Sequence, residues 1–220
     1  MILYKNTIKL KWEEDEWMET KLTMPRSVQT ENTKQKIYEA AVNILKKKGY
    51  AYLTVSNICS TAGISNGTFF YHFKTKDELL TFYTYKGFAE FRQSNGFDAK
   101  VEELPFDGKI IAFYCCWADY MEEMGIDFFS NFYSTKNHSP DIRRWNQREP
   151  VYVWNYPGEV LQQAQDEGKI KPQLSVRHCA EVLGSLIKGV AFDWCLCEGG
   201  FNMRERIHEI MEPYLNSIRA

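Results

Sequence analysis

The stretch from Thr54 to Leu80 constrains the fold more than any other, because it places three short helices and two tight connections in a small part of the chain. Thr54 can cap the first helix, since its hydroxyl can accept a hydrogen bond from a free N–H group of the first turn. One apolar face follows at helical spacing, formed by Val55, Ile58, Cys59 and Ala62. Gly63 can end this helix, because glycine readily adopts the left-handed backbone of a tight C-terminal turn.

A second and a third helix follow this turn. Ser65 can cap the second helix, in which Phe69 and Phe73 lie one turn apart and face the core. Thr75 starts the third helix with Glu78 three residues later, the spacing of a capping box. The outward face of the second helix carries Asn66, Thr68, Tyr71 and His72.

Two short helices joined by a turn that contains glycine are typical of the helix-turn-helix, whose second helix enters the major groove of DNA. Such a helix needs short polar side chains at base edges and hydroxyl or cationic groups at phosphates. The outward face of the second helix offers both. The pattern therefore predicts a DNA-binding element.

The run AGISNGTFFYHFKTKDELL, from Ala62 to Leu80, resembles the tetracycline-repressor (TetR) family of bacterial transcription regulators. The resemblance is specific over about Thr30 to Leu80 and only architectural beyond. Phe70 departs from the pattern, because many family members carry a tyrosine there whose hydroxyl reaches a phosphate, and that contact is expected to be missing. Carried over by position, the resemblance implies DNA contacts from Thr54, Ser56, Asn66, Gly67, Thr68, Tyr71, His72 and Lys76.

The charge distribution agrees with a DNA-binding region at one end of the chain. The whole sequence has a formal net charge of −2. From Arg26 to Leu80, eight Lys and Arg residues outnumber four Asp and Glu residues, for a net charge of +4 that leaves −6 for the rest. A locally basic segment on an acidic body suits a protein that contacts DNA phosphates through one end.

The composition indicates a folded, helical protein. At 220 residues, with 44% hydrophobic residues and 15% aromatics, the chain can bury a sizeable core. No apolar run approaches the roughly 18 residues that span a bilayer, and no signal peptide is apparent. We therefore expect an all-α protein that resides in the cytoplasm and does not contact a membrane.

The sequence holds no catalytic or metal-binding motif. No histidine belongs to a nucleophile or base signature, and neither a Gly-rich phosphate loop nor an H-E-x-x-H motif occurs. We predict no enzymatic activity, no metal and no cofactor. The cysteines lack C-x-x-C spacing, so reduced packing is the simplest interpretation, with redox or metal sensing as an alternative. They are Cys59, Cys115, Cys116, Cys179, Cys195 and Cys197.

Three parts are predicted along the chain. Residues 1–25 are an extension, either a mobile tail or a short helix packed through its tryptophans. Residues 26–74 form the helix-turn-helix region, whose first helix runs from Thr30 to Lys48, and residues 75–220 form a helical body. Body helices are expected at Thr75–Ser94, 108–124, 126–137, 158–167 and 174–197 and after Asn202, with loops at 95–107 and around Pro150 to Pro157.

The last two helices carry apolar seams suited to helix pairing. Such seams can pack inward or form a four-helix bundle with a second copy, and we favour a homodimer. A dimer would present two recognition helices to a palindromic site whose half-sites lie about one helical turn apart. The interface is expected at Leu183, Leu186, Val190, Ile207, Ile210 and Tyr214.

Aromatic residues are frequent in the body, which could hold a largely apolar cavity for a small molecule. The resemblance implies such a pocket, and ligand binding that changes the spacing of the recognition helices. The expected function is a ligand-responsive repressor, and the alternative is a DNA-anchored protein whose body binds a partner protein. The candidate lining residues are Phe88, Phe113, Trp117, Tyr120, Phe128, Tyr133, Trp154 and Trp194.

Overall fold

The computed structural model of the protein describes residues 26–133 and 152–220. The predicted extension, residues 1–25, lies outside the described residues. The described part is all-α, and its only extended pairing is one isolated bridge between Ile170 and Arg219. In chain order its elements are α1 (Arg26–Lys48), a 3-10 helix (Tyr50–Tyr52), α2 (Val55–Ala62), α3 (Asn66–His72), α4 (Lys76–Ser94), α5 (Phe97–Val101), α6 (Phe106–Met124), α7 (Ile126–Phe132), α8 (Tyr152–Asp166), α9 (Val176–Leu196) and α10 (Met203–Ile218).

The predicted all-α fold is confirmed, and several helix boundaries agree closely with the sequence pattern. The helix after Thr75 ends at Ser94 as expected, and Asn202 caps α10 through hydrogen bonds from the N–H groups of Arg204 and Glu205. The first helix begins earlier than predicted, at Arg26.

The predicted loop at 95–107 is wrong, because it contains α5 and the start of α6. Phe97 and Val101 lie one turn apart and are both buried, so a five-residue helix has its own apolar side. Gly96 precedes it with a φ of 61°, and Pro105 precedes α6. The two breaker residues mark helix starts here, whereas the prediction treated them as a loop.

The irregular region predicted around Trp154 is also wrong where the structure describes it, since α8 is helical from Tyr152 onwards and includes Pro157. A proline inside a helix removes one N–H donor, and tertiary packing can outweigh that loss. Pro157 is buried and α8 packs against α6 and α9. α7 ends at Phe132, and residues 134–137 of the helix predicted there lie outside the described residues.

Each region has buried side chains at its centre. In the helix-turn-helix region, α1 packs against α2 and α3 around Ile37, Leu53, Ile58 and Phe69. In the body, α6 is the central helix, with contacts to α4, α5, α7, α8 and α10. α9 packs against α7, α8 and α10. The body therefore encloses α6, and α4 leads into it from the helix-turn-helix region.

The two regions also touch beyond the continuous helix α4. The Tyr38 hydroxyl of α1 donates to Oε2 of Glu90, in the body part of α4, at 2.7 Å. The Tyr50 ring in the 3-10 helix lies 6.4 Å from the Phe128 ring of α7. A displacement of α7 would therefore alter the contact with Tyr50 in the helix-turn-helix region.

Candidate nucleic-acid interface and aromatic body

The turn between α2 and α3 is fixed by backbone geometry. Gly63 has φ 66° and ψ 38°, a left-handed conformation that favours glycine. The Cys59 carbonyl accepts hydrogen bonds from the N–H groups of both Gly63 and Ile64. These bonds satisfy the end of α2 and turn the chain into α3, so the helix-turn-helix predicted from the sequence is present.

Three hydroxyl side chains fix the helix starts in this region, as the sequence predicts. Oγ1 of Thr54 accepts from the Asn57 N–H at 3.2 Å, and Oγ of Ser65 accepts from the Thr68 N–H at 3.0 Å. Oγ1 of Thr75 accepts from the Glu78 N–H at 3.1 Å. Each cap satisfies an N–H group that would otherwise lack a partner.

The recognition helix α3 is divided between core and surface. Phe69 and Phe73 are buried as predicted. Asn66, Gly67 and Tyr71 are exposed, and the Tyr71 side chain is 72% exposed. The outward face therefore presents an amide, a phenol and a stretch of backbone without a side chain, which suits close approach to base edges.

The other predicted contact residues of α3 are less exposed. Thr68 is half-buried, and its Oγ1 lies 2.9 Å from Oγ of Ser65. His72 is half-buried as well. Burial lowers the pKa of His72 below its usual value, and Lys34 lowers it further, while Glu31 partly opposes them. The imidazole is thus neutral at neutral pH and can donate one N–H to a phosphate.

Thr54, Ser56 and Lys76 lie at the starts of α2 and α4. Thr54 and Ser56 are exposed. Lys76 is half-buried, with Nζ 4.7 Å from the centre of the Tyr50 ring. This cation–π contact holds the ammonium group at the base of α4, next to the ring that touches Phe128.

Four residues of this region lie outside the predicted set of DNA contacts but bear on the proposed interface. Lys34 and Glu31 of α1 act on His72 across the helix-turn-helix region. Tyr52 and Phe70 are exposed by 55% and 46%, which makes them, with Tyr71, the exposed aromatics of the described part of this region. The position of Tyr52 two residues before the Thr54 cap was a signal available in the sequence.

The body contains a cluster of packed aromatic rings that includes half of the predicted pocket residues. The Phe88 ring centre lies 4.9 Å from Trp117, 5.5 Å from Phe113 and 5.8 Å from Tyr120. All four side chains are buried. They join α4 to α6, so the proposed pocket residues lie where α4 enters the body.

The remaining predicted pocket residues occupy different places. Phe128 and Tyr133 both contact Phe129, at 5.1 and 6.3 Å, and Phe129 lies 6.1 Å from Trp117. Trp194 is buried in α9 and contacts the turn at Gly199. Trp154 belongs to α8, but its side chain lies outside the described residues.

Two buried phenols have no hydrogen-bond partner within the described residues: Tyr114 and Tyr120. Burial raises the pKa of both above the usual value, so both hydroxyls stay protonated. A Cβ placed on Gly87 would lie 2.3 Å from the Tyr120 hydroxyl oxygen. Gly87 therefore gives the Tyr120 hydroxyl room against the α4 backbone, while Tyr114, which the pocket prediction did not include, holds an unused donor.

The thiols of α6 are protected by burial, which raises the pKa of Cys115 and Cys116 to about 11. Because the thiolate is the reactive form, both are poor targets for oxidants at neutral pH. Cys197 is exposed at the end of α9. In the part of the chain that the structure describes, no three His, Cys, Asp or Glu side chains come together as a metal site requires.

The predicted interface residues divide into two groups. Leu183, Val190 and Ile207 are buried within the protomer. Leu186, Ile210 and Tyr214 are half-buried. Two further apolar side chains of α9 are exposed, Phe192 by 42% and Leu196 by 66%. No described helix is both long and apolar enough to cross a membrane.

Comparison with known proteins matches residues 37–81 to the model of the bacterial regulatory proteins of the tetR family. The HTH-type transcriptional regulator YerO of Bacillus subtilis (strain 168) is 43% identical over 47 residues, 21% of this chain. That alignment spans only 16% of YerO. The similarity in sequence is thus concentrated in the helix-turn-helix region.

Solved structures extend the likeness to the whole fold. FadR of Thermus thermophilus, a TetR family transcriptional repressor solved with lauroyl-CoA, has a TM-score of 0.68 and 21% identity, covering 83% of this chain and 93% of its own. FadR of Bacillus subtilis, solved with stearoyl-CoA, has a TM-score of 0.60 and 20% identity, covering 84% and 98%. At these identities the likeness concerns the fold.

Proposed function

We propose that this chain, whose residues 37–81 match the tetR family of bacterial regulatory proteins, is a sequence-specific DNA-binding repressor whose affinity for DNA is controlled by a small molecule. The observation that carries the proposal is the face of α3 that exposes Asn66, Gly67 and Tyr71. This face lies on a capped helix behind a glycine turn, in the basic part of the chain. Such a helix fits the major groove.

The proposed contacts divide by role. Asn66 can bond an adenine edge through its amide, and Gly67 lets the backbone approach the bases. Hydroxyl, imidazole and ammonium groups around them suit phosphate oxygens, which fix the register on the duplex. These positioning groups are Thr54, Ser56, Thr68, Tyr71, His72 and Lys76.

The active form that we propose is a homodimer on a palindromic operator. Three of the predicted interface residues, Leu183, Val190 and Ile207, contribute to the protomer core. We therefore place the contact between copies on neighbouring side chains that are less buried. Side chains of α9 and α10 with apolar area left to cover are Leu186, Phe192, Leu196, Ile210 and Tyr214. Covering them with the same helices of a second copy would set the spacing of the two recognition helices.

The effector that we propose is a small molecule with a large apolar part, bound in the body near the α4–α6 aromatic cluster. The two FadR proteins were solved with acyl-CoA ligands, and acyl chains are one class that fits these surroundings. The Tyr114 hydroxyl offers a protonated donor for a carbonyl or similar acceptor of the effector. Apolar walls with a few polar groups are usual for such sites.

Control of DNA binding would act through two connections. α4 runs from the Lys76 end at the DNA side to the Phe88 ring in the aromatic cluster. Tyr50 links Lys76 to Phe128 of α7. An effector that prefers one arrangement of these helices shifts the population toward it and changes the fit to DNA, whereas one with equal affinity for both arrangements changes nothing.

The test is a titration of duplex DNA recovered by in vitro selection from a random-sequence library, followed by fluorescence anisotropy. We expect saturable binding that resists non-specific competitor. Asn66→Ala should lose affinity for the selected duplex about 10-fold while keeping non-specific binding. Lys76→Ala should weaken binding to every duplex and flatten its dependence on salt.

The matched control is Lys100→Ala, since Lys100 is an exposed lysine of α5 in the body. It should bind like the wild type. Acyl-CoA thioesters of increasing chain length are then added to the protein–DNA complex. Only thioesters within one range of chain lengths should release the DNA. Failure of selection to enrich any sequence, or equal losses in Lys76→Ala and Lys100→Ala, would contradict the proposed surface.

A further inference from the structure

Phe70 is an apolar side chain in an unexpected place on α3. Its ring stands edge-on to Phe69, with ring centres 5.4 Å apart and an interplanar angle of 89°, and 46% of the residue is exposed. Isolated apolar residues on a surface are common and need no explanation of their own. Phe70, however, occupies the recognition helix itself, whose outward positions are otherwise polar or glycine.

The helical geometry places Phe70 on the same side of α3 as Asn66. The two are four residues apart, so they are neighbours along the helix, separated by about 6 Å of rise. Successive base pairs are about 3.4 Å apart. Two side chains so placed in a major groove therefore reach base pairs about two steps apart.

A phenyl ring cannot read the hydrogen-bonding pattern of a base edge, because it has no donor or acceptor for N–H and C=O groups. The C5-methyl group of thymine is the apolar group that the major groove presents. Contact with it would remove apolar surface of both partners from water. No other base offers Phe70 an equivalent contact.

We propose that Phe70 is a specificity-determining residue that reads a thymine methyl group in each half-site. This inference rests on the proposed function, since it takes α3 as the helix in the major groove. Asn66 favours adenine through its amide, and Phe70 favours thymine about two base pairs away. Together they predict an A·T-containing core in each half-site.

The experiment uses the selected duplex with each thymine replaced in turn by deoxyuridine, which lacks only the methyl group. Affinity is measured for the wild-type protein, Phe70→Ala and Phe70→Tyr. The wild type should lose about fourfold at one thymine per half-site, as expected for one methyl group taken out of apolar contact. Phe70→Tyr keeps the ring and should keep that sensitivity. Phe70→Ala should bind more weakly and be indifferent to the same replacement.

Leu104→Ala is the control, because Leu104 is 39% exposed in the body between α5 and α6. It should show the wild-type response at every thymine. If Phe70→Ala does not fold, as judged by circular dichroism, Phe70→Gln provides a replacement with good helix propensity and no methyl contact.

Several outcomes would overturn the inference. If Phe70→Ala binds as tightly as the wild type, the ring does not touch DNA. If it is weaker by the same factor on all duplexes and keeps the wild-type response to deoxyuridine, the ring contacts the sugar–phosphate backbone. In both cases wild-type binding to the selected duplex would survive. Failure of the wild type to bind any selected duplex would instead contradict the proposed function itself.

Discussion

The helix-turn-helix region and the middle of the body, from α5 to α7, establish their helices in different ways. In the former, hydroxyl caps at Thr54, Ser65 and Thr75 fix three successive helix starts. In the middle of the body, α5, α6 and α7 begin without a side-chain hydrogen bond to their first turn, whereas the later helices α9 and α10 are capped by Ser175 and Asn202. Aromatic packing around α6 holds them, with buried rings such as Phe88 and Phe113.

This difference matters for function, because local caps leave the outward face of a helix free. α3 can expose Asn66 and Tyr71, two of the proposed DNA contacts, because Ser65 and the two buried phenylalanines hold the helix from its start and its inner side. The body gains stability by burying its side chains, and any effector must find room among them. Variants at matched positions in the two regions should therefore separate stability from binding.

The largest expected effect is on the stability of the body. Phe113→Ala should lower the free energy of unfolding by about 3–5 kcal/mol, because Phe113 is fully buried against Phe88 and lies 4.9 Å from the Tyr156 ring. Tyr71→Ala, at a residue 72% exposed, should change it by less than about 0.5 kcal/mol and yet weaken DNA binding. Urea denaturation and DNA titration of both variants measure the contrast. Comparable losses of stability would show that Tyr71 packs in solution.

A second effect, a loss of about 1–3 kcal/mol in the free energy of unfolding, is expected where α6 packs closely against α4. Gly87→Ala should destabilise the protein despite the better helix propensity of alanine, because the new Cβ would lie 2.3 Å from the Tyr120 hydroxyl oxygen. Tyr120→Phe removes that oxygen. The double variant should therefore recover most of the loss in thermal unfolding, and additive losses would argue against this contact. Gly158→Ala in α8 is the control, since nothing lies within 4 Å of a Cβ there.

A smaller effect on stability should distinguish the Tyr114 hydroxyl from the Tyr38 hydroxyl, which has a hydrogen-bond partner. Tyr114→Phe should raise the free energy of unfolding by about 1 kcal/mol without ligand, since it removes a buried donor that has no partner among the described residues. The affinity of this variant for lauroyl-CoA, measured as the concentration that releases DNA, should fall about 3–10-fold. Tyr38→Phe is the control and should lose stability, because the Tyr38 hydroxyl donates to Glu90 at 2.7 Å. A loss in Tyr114→Phe as well would show that this hydroxyl is already bonded in the absence of an effector.

The sequence predicted the helix-turn-helix region residue by residue, because its determinants are local. A hydroxyl before a helix, a glycine after it and a phenylalanine pair one turn apart act within a few residues of each other, and Thr54, Gly63 and Phe69 have the expected places. The roles of Asn66 and Tyr71 at DNA stay predictions. The short helix α5 was missed because burial of Phe97 and Val101 depends on contacts made by distant parts of the chain.

In the body, the sequence predicted helices but not which face each residue occupies. The seam residues Leu186 and Leu183 follow the same periodicity, yet one is half-buried and the other fully buried in the protomer. Periodicity defines an apolar stripe and does not say which neighbour covers it. Tyr114 was overlooked for a related reason, because an unpartnered hydroxyl can be found only when its surroundings are known.

The smallest effect compares one cap from each region. Ser65→Ala removes the oxygen that accepts from the Thr68 N–H at 3.0 Å, and Asn202→Ala removes the one that accepts from the Arg204 N–H at 2.9 Å. Each should lower the free energy of unfolding by about 1 kcal/mol, measured by urea denaturation. Only Ser65→Ala should also weaken DNA binding, because fraying at the start of α3 disorders the Asn66 contact. Equal effects of both variants on DNA affinity would mean that overall stability, and not the local order of α3, sets the strength of binding.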